Sequence, residues 1–317
     1  MSDVEELKSM LEGEWNKTRF NSILTKYAHM VPWLVLDLPP HVPMFRGRIM
    51  SGNDLLYMHR CELSYPPKDC APIGRVSHEH HPMFYASILP GDKRGGQLPW
   101  LTIIEELEIF QGCDERKDIT FGIWESHRQL RLAALPFSNQ YQHGLVDEIA
   151  NIQKEWESKV KPFMTPEEIE LATFFYDLLV LPGSSKLYRF TAGFFEFFLQ
   201  HSDEGRSLDG VIYLSAPSQG KGLNVCLKPE VADFLELKNA FYTIFYKKEK
   251  EITRIIYLEA DIHRQPWKWY ISPYNGVDKL PLVLQKQFKN DNIIFRNEVS
   301  TSCYHRGRTK LIKNHKP

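Results

Sequence analysis

The stretch Asp209-Gly-Val-Ile-Tyr-Leu-Ser-Ala-Pro-Ser-Gln-Gly-Lys-Gly-Leu-Asn-Val-Cys-Leu-Lys-Pro229 carries the clearest fold signal in the chain. Two short apolar runs, 211–214 and 223–227, flank a turn rich in glycine, serine and lysine. Continuous runs of this length, bounded by turn residues, predict strands that are buried on both faces. Ser215 then falls at a strand end, a position that often carries binding or reactive groups. A structural hairpin with a serine at its turn explains the same pattern.

The composition of the whole chain is that of a folded protein. Its 317 residues are 43% hydrophobic and 25% charged, and the net charge of -1 gives no global electrostatic reason to bind nucleic acid. We expect no membrane span, because no run of about 18 apolar residues exists. The acidic N-terminus has no apolar signal-peptide core. Five cysteines without a CxxC pair favour free thiols in a reducing compartment, so the sequence predicts a cytoplasmic soluble protein.

Helices are predicted in four regions, one of which begins at Pro99 and continues through Glu105 and Glu106. Residues 1 to about 30 carry apolar residues at one-turn spacing. Residues 141–201 contain Thr165-Pro-Glu-Glu168, a capping box with proline at the first helical position, and an apolar stripe follows it. The phenylalanines near the end of this block are expected to lie in the core. A further helix is predicted from Val231 to about Tyr246, and it is expected to end before a polar break at Lys247.

Short strands are predicted elsewhere, at 44–50, 83–87, 119–135, 252–258 and 267–271. The first of these strands carries Arg46 and Arg48 on one side, because side chains alternate along a strand. Such a pair flanked by apolar residues is unusual. A solvated face or a structural salt bridge is the alternative explanation for it.

Other charged or histidine-rich segments carry weaker signals. His78, His80 and His81 lie close together but lack a convincing fourth ligand, so we expect no metal. The loop 91–97 is rich in glycine and basic residues, yet it matches neither the P-loop nor the dinucleotide fingerprint. The locally basic segment 304–313 is predicted to be solvated, and contact with nucleic acid is not expected.

Four short segments, in their order along the chain, resemble the motifs of a known protein family. They are Phe45-Arg46 on an early strand, Gly74-Arg75 leading to Tyr85, a helix bearing Glu105, and the strand ending at Ser215 that runs on through Gly222-Leu-Asn-Val. This order resembles the RES-domain family, named for its arginine, glutamate and serine. The resemblance covers roughly residues 44–230. Members known as toxins of Xre–RES toxin–antitoxin pairs have a fold similar to ADP-ribosyltransferases and consume NAD⁺.

The resemblance implies a set of site residues. Arg46, Glu105 and Ser215 would be catalytic, with Glu106 as the alternative register for the glutamate. Four further residues would line the site of the substrate NAD⁺: Arg75, Tyr85, Arg48 and Asn224. An arginine fork suits a diphosphate, and a carboxylate can stabilise the oxocarbenium character that develops as the nicotinamide–ribose bond breaks. Ser215 is better assigned as a hydrogen-bonding orienter than as a nucleophile, because no His–Asp relay surrounds it.

We therefore expect an α+β protein with an ADP-ribosyltransferase-like mixed β-sheet core, an inserted helical region and a C-terminal extension. The predicted divisions are an N-terminal helical segment and linker at 1–43, a RES-like domain at 44–230 with its insertion at about 141–201, and the extension at 231–317. The implied activity is that of an NAD⁺ glycohydrolase, phosphorylase or ADP-ribosyltransferase, in a toxin setting with an antitoxin protein as partner. The alternative is a catalytically silent nucleotide-binding or protein-interaction module on the same fold.

Overall fold

The computed structural model describes residues 2–50, 56–89, 97–107, 115–134, 147–181, 183–201, 203–248, 251–271, 284 and 293–295. The architecture is mixed α+β, as the sequence predicts. The chain divides into two compact units, each assembled from separate stretches. The first unit draws on Met1–Val42, Tyr65–Thr102 and Ser126–Leu235, and the second on Pro43–Ser64, Ile103–Glu125 and Glu236–Pro317. The consecutive division expected from the sequence stays a prediction.

The helices and strands have the following bounds. The α-helices are α1 (Asp3–Glu12), α2 (Lys17–Lys26), α3 (Pro99–Glu106), α4 (Asp147–Lys159), α5 (Pro166–Leu179), α6 (Ser185–His201), α7 (Asp203–Ser207) and α8 (Pro229–Ala232). The strands are β1 (Leu34–Leu38), β2 (Met44–Met50), β3 (Phe84–Ile88), β4 (Glu115–Glu125), β5 (Leu130–Ala134), β6 (Gly210–Leu214), β7 (Leu223–Leu227), β8 (Glu236–Lys248), β9 (Glu251–Asp261), β10 (Lys268–Ile271) and β11 (Ile293–Phe295).

The first unit contains a mixed sheet in the order β1-β5-β6-β7-β3. Its β5 and β6 run parallel, and the other neighbouring strands are antiparallel. All residues of β6 and β7 are buried, which confirms the two strands predicted around Ser215. Their continuous apolar runs arise because neither face of the strand pair meets solvent.

The second unit has its own run of strands, in the order β2-β4-β8-β9-β10-β11. Neighbours are antiparallel except for the parallel pair β10 and β11. The strand predicted at 44–50 is confirmed as β2, which pairs with β4 along its whole length. That pairing fixes the positions of the two arginines on β2.

The apolar core of the first unit lies between its helices and one face of its sheet. The sheet contributes alternate residues such as Val211 and Tyr213, and α1, α2, α4, α5 and α6 supply the opposing side chains. At its centre the rings of Phe175 and Phe194 are stacked with centroids 4.2 Å apart. The predicted capping box is confirmed, because the Thr165 side chain accepts from the Glu168 amide and Glu168 accepts from the Thr165 amide.

The helix predicted from Val231 to about Tyr246 is wrong. Only Pro229–Ala232 forms a helical turn, and Glu236–Lys248 is the strand β8. Residues 240–245 are all buried, and β8 lies inside the run of strands, between β4 and β9. Burial on both faces removes the alternation that marks a strand in the sequence, and the aromatic and β-branched side chains then favour the strand.

Some predictions fall outside the residues that the structure describes: the basic segment 304–313, most of the loop 91–97, Cys113 and Cys303. In the described part, Cys61, Cys70 and Cys226 are not joined in a disulfide. None of the helices in the described ranges is long and apolar enough to cross a membrane.

Candidate functional site

Ser215 lies directly after β6 and belongs to a closed hydrogen-bonded turn. Its amide donates to the Gly222 carbonyl at 2.9 Å, and its Oγ accepts from the Ser218 amide at 3.4 Å. The Ser218 hydroxyl donates to the Ser215 carbonyl at 3.0 Å and accepts from the Gly222 amide at 2.9 Å. The Ser215 side chain is fully buried. These contacts stabilise the turn between β6 and β7, and a catalytic role for Ser215 stays a prediction.

Asn224 lies in β7, opposite Ser87 of β3. Its side-chain oxygen accepts a hydrogen bond from the Ser87 hydroxyl at 2.7 Å, and both residues are buried. A paired polar group of this kind avoids the cost of burying an unsatisfied amide. The described contact joins two strands of the first unit, and binding of NAD⁺ by Asn224 stays a prediction.

Tyr85 of β3 contacts the Gly74-Arg75-Val76-Ser77 segment, so the structure brings these two predicted pieces together. Its hydroxyl accepts from the Val76 amide at 3.2 Å and lies 2.9 Å from the Ser77 hydroxyl. Gly74 permits this approach, because an added Cβ would lie 2.6 Å from the same hydroxyl. Burial raises the pKa of Tyr85 well above its ordinary value, so the phenol stays protonated as a hydrogen-bonding group.

Arg75 is buried, with 5% of its surface exposed. Its Nη1 donates to the carbonyls of Leu179 at 2.5 Å and Leu181 at 3.1 Å, where α5 ends. The guanidinium also lies 5.3 Å from the ring centre of Tyr188. A cation at a helix C-terminus satisfies the last carbonyls and the helix dipole. Arg75 therefore anchors its segment to α5, and its predicted contact with NAD⁺ remains untested.

Arg46 and Arg48 lie on β2 in the second unit and are both half-buried. Arg46 Nε donates to the Ser64 carbonyl at 3.1 Å, and Arg48 Nη1 donates to the Glu62 carbonyl. The Arg48 guanidinium lies 5.1 Å from the ring centre of Tyr57. The same short segment of backbone thus orients both guanidinium groups, which agrees with their predicted placement on one side of the strand.

Gly47 lies between the two arginines and faces α3. An added Cβ at Gly47 would lie 2.8 Å from Ile103 Cγ2, so α3 packs closely over this position. Because side chains alternate along a strand, Ile103 and the two arginines lie on opposite faces of β2. Glu105 and Glu106 are the last two residues of α3, and both are half-buried. The choice between them as the family glutamate stays open.

Asp209 directly precedes β6, and its carboxylate is held in a hydrogen-bonded network that no sequence motif indicates. Arg128 donates to its two carboxylate oxygens at 2.8 and 2.6 Å, and the Arg131 amide donates at 2.8 Å. Burial, the largest influence, raises the pKa of this carboxyl. The hydrogen bonds from Arg128 and the Arg131 amide, with the charges of Arg128 and Lys228, lower it by more, so the net pKa lies below 3.8.

We expect this network to make the protein sensitive to acid. The pKa of Asp209 is lower in the folded than in the unfolded state, so its ionised carboxylate stabilises the fold at pH values above the unfolded-state pKa. This stabilisation is lost as the pH falls through the folded-state pKa. Asp209→Asn should cost about 1–2 kcal/mol at pH 7, since Arg128 is half-exposed and screened by solvent. It should cost less at pH 3. Urea unfolding at both pH values measures this, and an equal cost at both would contradict it.

The three histidines considered as metal ligands, His78, His80 and His81, do not all contact the same partner. His78 and His81 both face Glu196 of α6, whereas His80 Nδ1 lies 3.3 Å from the Lys68 carbonyl. Within the described ranges, no group of three or more His, Cys, Asp and Glu side chains is arranged to hold a metal ion.

A cleft of about 380 Å³ opens on the first unit, a size common for small-molecule sites. No local sequence pattern indicates this cleft, because its walls come from two stretches that are distant in sequence, 29–33 and 159–168. None of the site residues predicted from the sequence lines it. Its lining includes Met30, Trp33, Lys159, Phe163, Met164 and Glu168.

Comparison with known proteins gives no match, either to a protein-family model or to a curated protein sequence.

Proposed function

We propose that this protein binds NAD⁺ and cleaves its nicotinamide–ribose bond, as the RES-like order of residues implies. The observation that carries the proposal is the arginine pair on β2. Arg46 and Arg48 are half-buried, lie on one face of the strand, and are each oriented by a backbone carbonyl of the 62–64 segment. Two preoriented guanidinium groups suit a diphosphate, because each presents N–H donors in a fixed planar fork.

The proposed roles divide between positioning and chemistry. Arg46 and Arg48 would hold the diphosphate. Glu105, with Glu106 as the alternative, lies at the end of α3, whose Ile103 packs on the opposite face of β2, so the ribose would have to reach past the strand for this carboxylate to stabilise its positive charge as nicotinamide leaves. Water, phosphate or a macromolecular group would then accept the ADP-ribose. Ser215 would act by holding the turn after β6, consistent with the hydrogen bonds that its backbone and side chain make there.

The second candidate function is a catalytically silent nucleotide-binding or protein-interaction module. A specific observation favours it: Arg75, Tyr85, Ser215 and Asn224 are all engaged in hydrogen bonds within the first unit. Side chains whose hydrogen bonds stabilise the fold are less available for a reaction, because each would have to give up a partner within the protein to contact a ligand.

The experiment is NAD⁺ consumption by the purified protein, with and without phosphate. Arg46→Ala should lower turnover about 10²-fold or more, because it removes a preoriented donor for the transferred group. Arg264→Ala is the matched control, since Arg264 is an exposed arginine of the second unit paired with Asp261. It should leave turnover unchanged. Phosphate dependence would separate phosphorolysis from hydrolysis.

The two functions predict different outcomes. Turnover lost in both Arg46→Ala and Glu105→Ala supports the enzyme. Without turnover, NAD⁺ binding by calorimetry that Arg46→Ala weakens supports the silent module. If wild-type protein neither consumes nor binds NAD⁺, the enzyme and the nucleotide-binding module are both wrong, and the resemblance is one of fold alone.

The cellular setting of the proposal follows from the resemblance and the composition. We propose a cytoplasmic location, because the cysteine pattern suits a reducing compartment. An antitoxin protein that covers the site is the proposed partner. NAD⁺ is the small-molecule substrate, no metal is needed for this chemistry, and neither a membrane nor nucleic acid is an expected partner.

A further inference from the structure

The carboxylate of Glu62 holds the backbone of the 57–64 segment, which contacts β2. Its Oε2 accepts hydrogen bonds from the amides of Met58 at 2.6 Å and His59 at 2.7 Å. Hydrogen bonds to an ionised acceptor are stronger than those between neutral groups. Glu62 itself lies in the short 3₁₀ turn Arg60–Leu63. Its side chain therefore joins this turn to the residues that precede it.

The same segment orients the arginine pair of β2. The Glu62 carbonyl accepts from Arg48 Nη1, and the Ser64 carbonyl accepts from Arg46 Nε at 3.1 Å. At the other end of the segment, the ring centre of Tyr57 lies 5.1 Å from the Arg48 guanidinium carbon. The directions of both guanidinium groups thus depend on the shape of the 57–64 segment.

The start of the 57–64 segment is held by residues in and just before β10. Trp269 Nε1 donates to the Tyr57 carbonyl at 2.8 Å, and the Trp267 amide donates to the Met58 carbonyl at 2.9 Å. Both tryptophans are fully buried. The two amides that Glu62 binds therefore follow directly on a fixed part of the backbone. Through them, the Glu62 carboxylate ties the turn below the arginines to the sheet of the second unit.

We propose that Glu62 is a positioning residue, whose carboxylate keeps the 57–64 segment in the shape that prepares Arg46 and Arg48 for a diphosphate. The inference rests on the proposed function, because that function assigns the arginine pair to the diphosphate of NAD⁺. Glu62 acts through the arginines and does not touch the anion. Its effect is preorganisation, since side chains that are already ordered lose less freedom when the ligand binds.

Glu62 has two opposing effects on an anion, and substitutions separate them. Its negative charge repels the anion, so removal of the charge alone would strengthen binding. Its role as an acceptor supports the segment, so removal of the acceptor would weaken binding. Glu62→Ala removes both. Glu62→Gln removes only the charge, because the side-chain oxygen of glutamine can accept from the same two amides.

Binding of inorganic pyrophosphate to the full-length protein, measured by calorimetry, tests the proposal. Glu62→Ala should raise the dissociation constant about tenfold, because two arginine side chains must then be ordered as the anion binds. Glu62→Gln should bind at least as tightly as the wild type. Arg46→Ala should weaken binding, which locates the anion on the arginine pair. Cys61→Ala is the matched control, since Cys61 is exposed in the same turn, and it should bind as the wild type does.

The kinetics of NAD⁺ consumption provide a second measurement. Glu62→Ala should raise KM and leave kcat nearly unchanged, because both guanidinium groups are still present and only their order in the free protein is lost. Glu62→Gln should restore the wild-type KM. If Glu62→Ala does not fold, as judged by urea unfolding, Glu62→Asp takes its place. It keeps the charge but shortens the side chain by one methylene, so it should weaken pyrophosphate binding as well.

The outcomes distinguish this proposal from the proposed function. Weaker pyrophosphate binding in Glu62→Ala or Glu62→Asp, with binding kept in Glu62→Gln, supports the positioning role. If that pattern is found but NAD⁺ is neither bound nor consumed, the proposed function is wrong and the positioning role stands. The positioning role is wrong if the wild type does not bind pyrophosphate or if the shortened variants bind it as tightly as the wild type. It is also wrong if Glu62→Gln binds as weakly as they do.

Discussion

Gly210→Ala is expected to destabilise the first unit by about 3 kcal/mol or more. Gly210 begins β6 and pairs with Leu227 of β7. An added Cβ would lie 2.1 Å from the Cys226 carbonyl oxygen and 2.9 Å from the Leu227 Cα. Both atoms belong to the backbone of the paired strand, so no side-chain rotation can relieve the clash. The strands must separate, and the hairpin that presents Ser215 is lost with them. Urea unfolding followed by circular dichroism measures the cost.

Gly222→Ala, in the same hairpin, provides the control for Gly210→Ala. The three atoms nearest its added Cβ all belong to the Thr102 side chain, with Oγ1 at 2.3 Å and Cγ2 at 2.6 Å. Truncating Thr102 to alanine should therefore restore much of the stability lost in Gly222→Ala, because it removes those two atoms. No single side-chain truncation should rescue Gly210→Ala. A cost below about 1 kcal/mol for Gly210→Ala would show that the strand pair yields more easily than its packing indicates.

Local sequence signals predicted the elements that depend on local chemistry. The capping box at Thr165 satisfies two amides within four residues, and the turn at 215–222 closes on itself, so each could be recognised without the rest of the fold. Strand β8 could not be recognised in this way. It pairs with β4, which lies far away in sequence, and its residues 240–245 are buried on both faces, so the alternation that marks a strand is missing.

The candidate site was less predictable than the fold, because the partners of its polar groups come from distant parts of the chain. Arg75 donates to the carbonyl of Leu179, 104 residues further on, and no local pattern specifies that contact. Asp209 likewise pairs with Arg128, 81 residues earlier. A sequence identifies residue types that suit NAD⁺, but these same types also satisfy helix ends and strand pairs. Arg46 and Arg48 could be placed because their relation depends only on strand alternation.

Phe175→Ala is expected to cost about 3–5 kcal/mol, since it leaves a cavity at the centre of the first unit. Phe175 and Phe194 are fully buried, and their rings are stacked 4.2 Å apart at 27°. The double variant Phe175→Ala/Phe194→Ala should cost less than the sum of the single variants by about 0.5–1.5 kcal/mol, the range for a stacked aromatic pair. Phe234→Ala is the matched control, because Phe234 is 80% exposed and should change stability little. Chemical unfolding of the wild type, the two single variants, the double variant and the control measures these costs. A specific interaction between the two rings is lost when either ring is removed, so it would be counted twice in the sum of the single variants. If the cost of the double variant equals that sum, the two rings stabilise the unit by filling volume alone.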